Sequence, residues 1–145
     1  MIQRKQTIFL LLALVAIVLS FFFPILGVDG AVGQEDLLFN LKAVGSGVSG
    51  NIGLFIVMVV AFLLDGVAIF AYKQRGKQMK LILCGLLLML VWYALLAIGL
   101  DWSNLRLYHW HVSCVLPLVA IILNLMAYKG VKSDDELVKS MDRIR

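Results

Sequence analysis

The residues from Ile52 to Lys80, IGLFIVMVVAFLLDGVAIFAYKQRGKQMK, decide how the rest of the chain is read. From Ile52 to Tyr72 the run is apolar except for Asp65; Lys73, Arg75, Lys77 and Lys80 then crowd a short turn, and a second apolar run opens at Met79. An apolar helix of about 20 residues, rising 1.5 Å each, crosses a hydrocarbon layer of about 30 Å. Two such runs joined by a basic turn predict a helical hairpin, with its cations held on the cytoplasmic side of a membrane.

Working outward, two more apolar blocks flank this pair. The predicted spans are about 7–26, 52–72, 79–100 and 110–128. Composition agrees: 62% of the 145 residues are hydrophobic and 15% charged, where a soluble domain has about a quarter of its residues charged. The expected class is an all-α integral membrane protein, a four-transmembrane-helix bundle. Arg4 and Lys5 ahead of the first block raise the question of a signal peptide. That block is long for a signal core, and Phe21-Phe22-Phe23-Pro24 stands where small residues would be needed for cleavage, so a retained anchor is expected.

Charge sets the expected orientation. Arg4, Lys5, Lys73, Arg75, Lys77, Lys80, Lys129, Lys132, Lys139, Arg143 and Arg145 fall on one side of the four spans, against Lys42 and Arg106 on the other. The positive-inside rule then puts both termini on the cytoplasmic side of the membrane. The net charge of +4 is explained by this sorting and calls for no nucleic acid. Trp102, Tyr108 and Trp110 suit the outer headgroup zone, and Leu37, Leu38, Phe39 and Leu41 in the Gly-rich first loop are expected to dip into the interface.

Composition shifts after Tyr128. Residues 1–130 read as the transmembrane domain and 131–145 as a cytoplasmic tail. Ser133 with Glu136 predicts a capping box that starts a short helix, with Leu137, Val138, Met141 and Ile144 on one face. Such a helix serves as a solvated tail, lies on the anionic leaflet or docks a partner.

Asp65 is the acidic residue inside a span, and a carboxylate at mid-membrane costs at least about 2.5 to 3.5 kcal/mol, so compensation is required. Counting residues from the inner boundary puts Asp65, Asn124 and Cys84 at similar depth. A hydrogen bond from Asp65 to Asn124, or to a backbone carbonyl, would tie the second and fourth helices. The bland reading is structural glue; the sharper one, a proton or cation relay, usually needs several ionisable groups across the membrane. Cys84 and Cys114 lie at opposite depths, too far apart for a disulfide, and are expected to serve packing. His109 and His111, two apart, point to different faces of a helix and are read as interfacial, not metal-binding. Pro117 is expected to kink the fourth helix. No nucleophile and base, zinc spacing or phosphate-cradling loop can be assembled at one depth, so neither an enzyme nor a cofactor is expected.

The start Met1-Ile2-Gln3-Arg4-Lys5-Gln6-Thr7, the run Tyr72-Lys73-Gln74-Arg75 through Gln78, and the ending from Asp134 to Arg145 carry a resemblance. They are similar to recurrent segments of a domain-of-unknown-function family of small four-helix bacterial membrane proteins, found chiefly in the Bacteroidetes group. The resemblance covers essentially the whole chain; Ser133 and Gly76 depart from its pattern. It implies location and architecture, and no activity, substrate or cofactor. All three segments fall on the expected cytoplasmic side. Gln3, Arg4, Arg75, Gln78, Asp135, Leu137, Val138, Met141 and Arg143 are therefore the candidate surface for docking a protein partner or anionic lipid.

The functional expectation is a noncatalytic accessory or assembly subunit in contact with membrane lipids, within a larger inner-membrane complex or a homo-oligomer. Small residues in the spans, such as Gly53, Ala61, Gly66 and Gly85, fit close helix packing in either assembly. The alternative is a small proton-coupled transporter or carrier centred on Asp65.

Overall fold

The computed structural model describes residues 3–29, 35–40, 43–44, 52–100 and 102–142. Among the described residues are four α-helices: α1 Gln3–Phe22, α2 Ile52–Phe70, α3 Arg75–Ile98 and α4 Leu116–Asp142. A short 3-10 turn, Ala71–Lys73, joins α2 to α3. Helix α1 packs along α4 and α2 along α3, while α3 also borders α4 and α1 borders α2. The helices thus form a ring in which α2 and α4 face each other across a diagonal.

The helix surface is inverted relative to that of a protein folded for water. On α2, Ile52, Ile56, Val60, Leu63, Val67 and Phe70 are exposed at helical spacing, while Asp65 is fully buried. On α4, Leu118, Ile122 and Leu125 are exposed and Asn124 is buried. Polar groups inside and a continuous apolar exterior suit a hydrocarbon solvent. Three helical stretches, Ile52–Lys73, Arg75–Ile98 and Val112–Met141, are long and apolar enough to cross a membrane. Within the 20-residue α1, the stretch Gln6–Phe22 is apolar as well.

The loops between helices depart from the all-helical expectation. Leu26–Asp29 (β1), Glu35–Leu38 (β2), Ala43–Val44 (β3) and Tyr108–Trp110 (β4) form a sheet of order β3-β2-β1-β4, each pair antiparallel. Leu26 faces Leu38 on one side and Trp110 on the other. Leu37 and Leu38, expected in the interface, belong to β2, and Leu38 is buried against the helices; Leu41 lies outside the described residues. Leu26 and Trp110, counted into spans by composition, sit in strands. Backbone groups there are satisfied between strands, as loops must achieve near a membrane.

Two further expectations change. Pro117 lies in the first turn of α4, after the 3-10 turn Val112–Val115. There its missing N–H leaves no helical bond unmade, so it starts the helix instead of kinking it. Ser133 caps nothing: α4 runs unbroken from Leu116 to Asp142, through the change in composition at residue 130. Lys132 with Glu136 and Lys139 with Asp135 form i,i+4 pairs along this extension, each worth a few tenths of a kcal/mol to the helix.

The core divides between the two ends of the ring. Toward the sheet, Trp92, Met58, Met89, Ile17, Leu26 and Leu54 pack together; toward the other end, Leu10, Ala68, Ile82, Ala127 and Val131 do so. The sheet end is fastened by polar bonds. Trp92 Nε1 donates to Asn40 Oδ1 at 2.8 Å, and Asn40 Nδ2 donates to the Ser20 carbonyl at 2.7 Å. Ser113 Oγ donates to the Pro24 carbonyl and the His111 amide to the Ile25 carbonyl, joining the exit of α1 to the entry of α4.

Candidate functional site

Two places hold the residues that the sequence singled out. The first is inside the ring. Asn124 Nδ2 on α4 donates to Asp65 Oδ2 on α2 at 2.7 Å, and both side chains are fully buried. The bond spans the diagonal, so it ties together helices that otherwise touch little. Asp65 Oδ1 and Asn124 Oδ1 have no hydrogen-bond partner among the described residues. Two adjacent buried acceptors left open are what a proton or a small cation would satisfy.

Cys84 does not join this pair. Its side chain is exposed on α3, while the next residue, Gly85, faces inward. A Cβ on Gly85 would lie 2.5 Å from Asp65 Oδ1. The absent side chain is therefore the space in which the carboxyl sits. Cys114 is buried near the sheet and, like Cys84, is a free thiol. His109 lies in β4 and His111 just after it. Among the described residues, no three His, Cys, Asp or Glu side chains gather where they could hold a metal ion.

The second place is the end opposite the sheet, where the start of α1, the α2–α3 turn and the far part of α4 meet. Gln6 Nε2 donates to Asp134 Oδ2 at 2.7 Å, and both residues are buried. Arg75 Nη1 donates to the Asp134 carbonyl at 3.3 Å. Gly130 lets α1 approach, since a Cβ there would meet Gln6 Cγ at 2.9 Å. Asp134 thus connects three helices. The sequence pointed to a basic surface here but to neither Gln6 nor Asp134 as its fastener. Their separation of 128 positions leaves no local signal.

Of the candidate docking residues, Gln78 is buried and serves the interior. Arg75 is half-buried and held by Asp134; Asp135 pairs with Lys139 at 2.6 Å. Leu137, Val138 and Met141 are exposed on the extension of α4, Met141 at 69%. Gln3 and Arg4 are in the first turn of α1, with their side chains outside the described residues, as is Arg143 altogether. Between the α2–α3 turn and Asp135 lies an open cleft of about 520 Å³.

Apolar surface outward, buried polar contacts and three helices of membrane-crossing length define a helical protein of the membrane-spanning type. The chain belongs to the family described as Domain of unknown function (DUF4293), whose model matches residues 2–144. No curated protein matches the chain. The family match spans nearly the whole length, as the resemblance in the termini and the α2–α3 turn does, and it brings no activity with it.

Proposed function

We infer that the protein is a noncatalytic, four-span inner-membrane subunit with both termini in the cytoplasm. It acts as an accessory or assembly factor that docks a partner through its cytoplasmic face. The asymmetry of the cations supports the orientation, since eleven of the thirteen Lys and Arg residues flank one end of the spans. The observation that carries the docking reading is the extension of α4. It continues past Asp134, the last buried residue among those described, for two turns that expose Leu137, Val138 and Met141. A helix that projects an apolar face anchored by Gln6 and Arg75 at its base is a docking element with a rigid root.

The test is Leu137→Gln with Met141→Gln, which removes the apolar face and keeps Asp134 and its anchors. Partners co-purifying from mildly solubilised membranes should fall at least tenfold, with unchanged membrane retention and melting temperature. Unchanged partners would sink the docking reading.

A second reading keeps a specific observation in its favour: the open acceptors of Asp65 and Asn124. On that reading the protein is a small proton-coupled carrier, and oligomerisation multiplies its single acid. Asp65→Asn decides. A carrier loses proton-coupled flux in reconstituted vesicles, whereas a structural contact survives the change with the fold intact.

A further inference from the structure

We propose that the cleft at the α2–α3 turn is a binding site for the phosphate-bearing headgroup of an anionic phospholipid. Sorting of charge across a membrane explains why cations sit in this turn, but it does not require them to share a concave wall. Lys73, Arg75 and Lys77 all line the same cleft of about 520 Å³, together with Tyr72, Gly76 and Asp135. Asp135, the acid in the wall, is already engaged by Lys139 at 2.6 Å, so the cationic side prevails.

Arg75 is set in place before any ligand arrives. Its Nη1 is committed to the Asp134 carbonyl, and Asp134 is fixed by Gln6. A guanidinium has five N–H donors in a rigid fork, so donors remain for phosphate oxygens, and its orientation is already set. Gly76 lines the cleft, and an added Cβ there would meet nothing within 4 Å, so the space beside it is open.

The surroundings select a lipid over a soluble anion. Phe70, 82% exposed, lies two residues before Tyr72, and Leu83 and Leu87 are exposed two to three turns into α3. Acyl chains can run along this apolar surface while the headgroup meets the cations at its edge. Basic pockets between helices at the cytoplasmic boundary take anionic headgroups in this way. The site rests on the membrane-spanning reading with this end at headgroup level, and is independent of any protein partner.

The experiment is a titration of the purified full chain in nonionic detergent with phosphatidylglycerol and, separately, phosphatidylcholine, with bound lipid counted by native mass spectrometry. Phosphatidylglycerol should bind at least tenfold tighter. Lys73→Gln/Arg75→Gln/Lys77→Gln should lower that affinity at least tenfold, in keeping with about fivefold for each cation near a lipid phosphate. Gly76→Leu fills the cleft without changing charge and should produce a comparable loss. Lys129→Gln/Lys132→Gln removes two cations of the same membrane side that do not line the cleft, and should bind as the parent does. Equal affinity for the two lipids, undiminished binding by Gly76→Leu, or equal loss in the Lys129/Lys132 variant would each overturn the site. Because no partner is present in this titration, its failure leaves the docking reading standing. Loss of partners in the Leu137/Met141 variant, in turn, leaves the lipid site untouched.

Discussion

Gly85 is the residue on which the interior of the ring turns. Asp65 needs a cavity for its carboxyl between α2 and α3, and Asn124 reaches that carboxyl from α4 at 2.7 Å. Any side chain at position 85 would enter the same space, with a Cβ 2.5 Å from Asp65 Oδ1. Gly85→Ala should therefore force Asp65 to rotate away from Asn124, at a cost of about 1–3 kcal/mol from overpacking and the broken buried bond. The cause is checked by a double-mutant cycle on unfolding in mixed micelles. In an Asp65→Ala background the shortened side chain leaves room, and Gly85→Ala should cost less than about 0.5 kcal/mol. An equal cost in both backgrounds would show that position 85 matters for some reason other than the carboxyl. The depth count from the sequence brings Asp65 and Asn124 to one level, and they meet there. It brings Cys84 to that level too, yet Cys84 faces outward. One step along a helix changes depth by 1.5 Å but turns the side chain by about 100°, so a register argument gives the level of a residue and not its face.

The elements show the same division between what a chain writes locally and what it writes at a distance. Long apolar runs of helical composition announce α2 and α3 to within a few residues. Helix α1 stops at Phe22, short of the expected 26, because the residue before Pro24 resists helical backbone. The strands carry no comparable signal. With two to four residues each, they are too short for an alternating pattern to emerge from a Gly-rich loop. What defines them is pairing between β1 and β4, elements about 80 positions apart in the chain. Asn40 illustrates the consequence: nothing in the sequence singles it out, yet it is fully buried between Trp92 and the Ser20 carbonyl. Helix α4 errs in the opposite direction. The change from apolar to charged residues near Tyr128 looks like an end, and Ser133 with Glu136 like a new beginning. The backbone continues because nothing in 129–142 breaks it: the stretch holds no proline, and its charges pair at i,i+4. A change in solvent along a helix alters which residues are exposed without altering the hydrogen bonds that run along its axis.

At the scale of the molecule, the two ends differ in kind. One is closed by a sheet and by aromatic and amide contacts. The other gathers the start of α1, the basic turn and the projecting α4 around Asp134. Docking, lipid binding and the direction of any proton path all depend on which end faces the cytoplasm, and on whether α1 crosses the membrane with the others. Charge asymmetry argues for the Asp134 end. Single cysteines report it directly once Cys84→Ala and Cys114→Ala have cleared the background. Ser103→Cys on the 3-10 turn before β4 and Ser140→Cys on the extension of α4 are conservative changes at exposed positions. With a membrane-impermeant maleimide in sealed right-side-out vesicles, Ser103→Cys should label at once. Ser140→Cys, and a tag placed before Met1, should become accessible only after the membrane is opened. Labelling in the reverse order would turn the molecule over and remove the cytoplasmic docking face. A tag exposed while Ser140→Cys stays protected would leave three crossings, with the start of α1 held on the side where the sheet is expected. Such a placement would separate Gln6 from Asp134 by the thickness of the bilayer, so the 2.7 Å bond between them and the four-span topology stand or fall together.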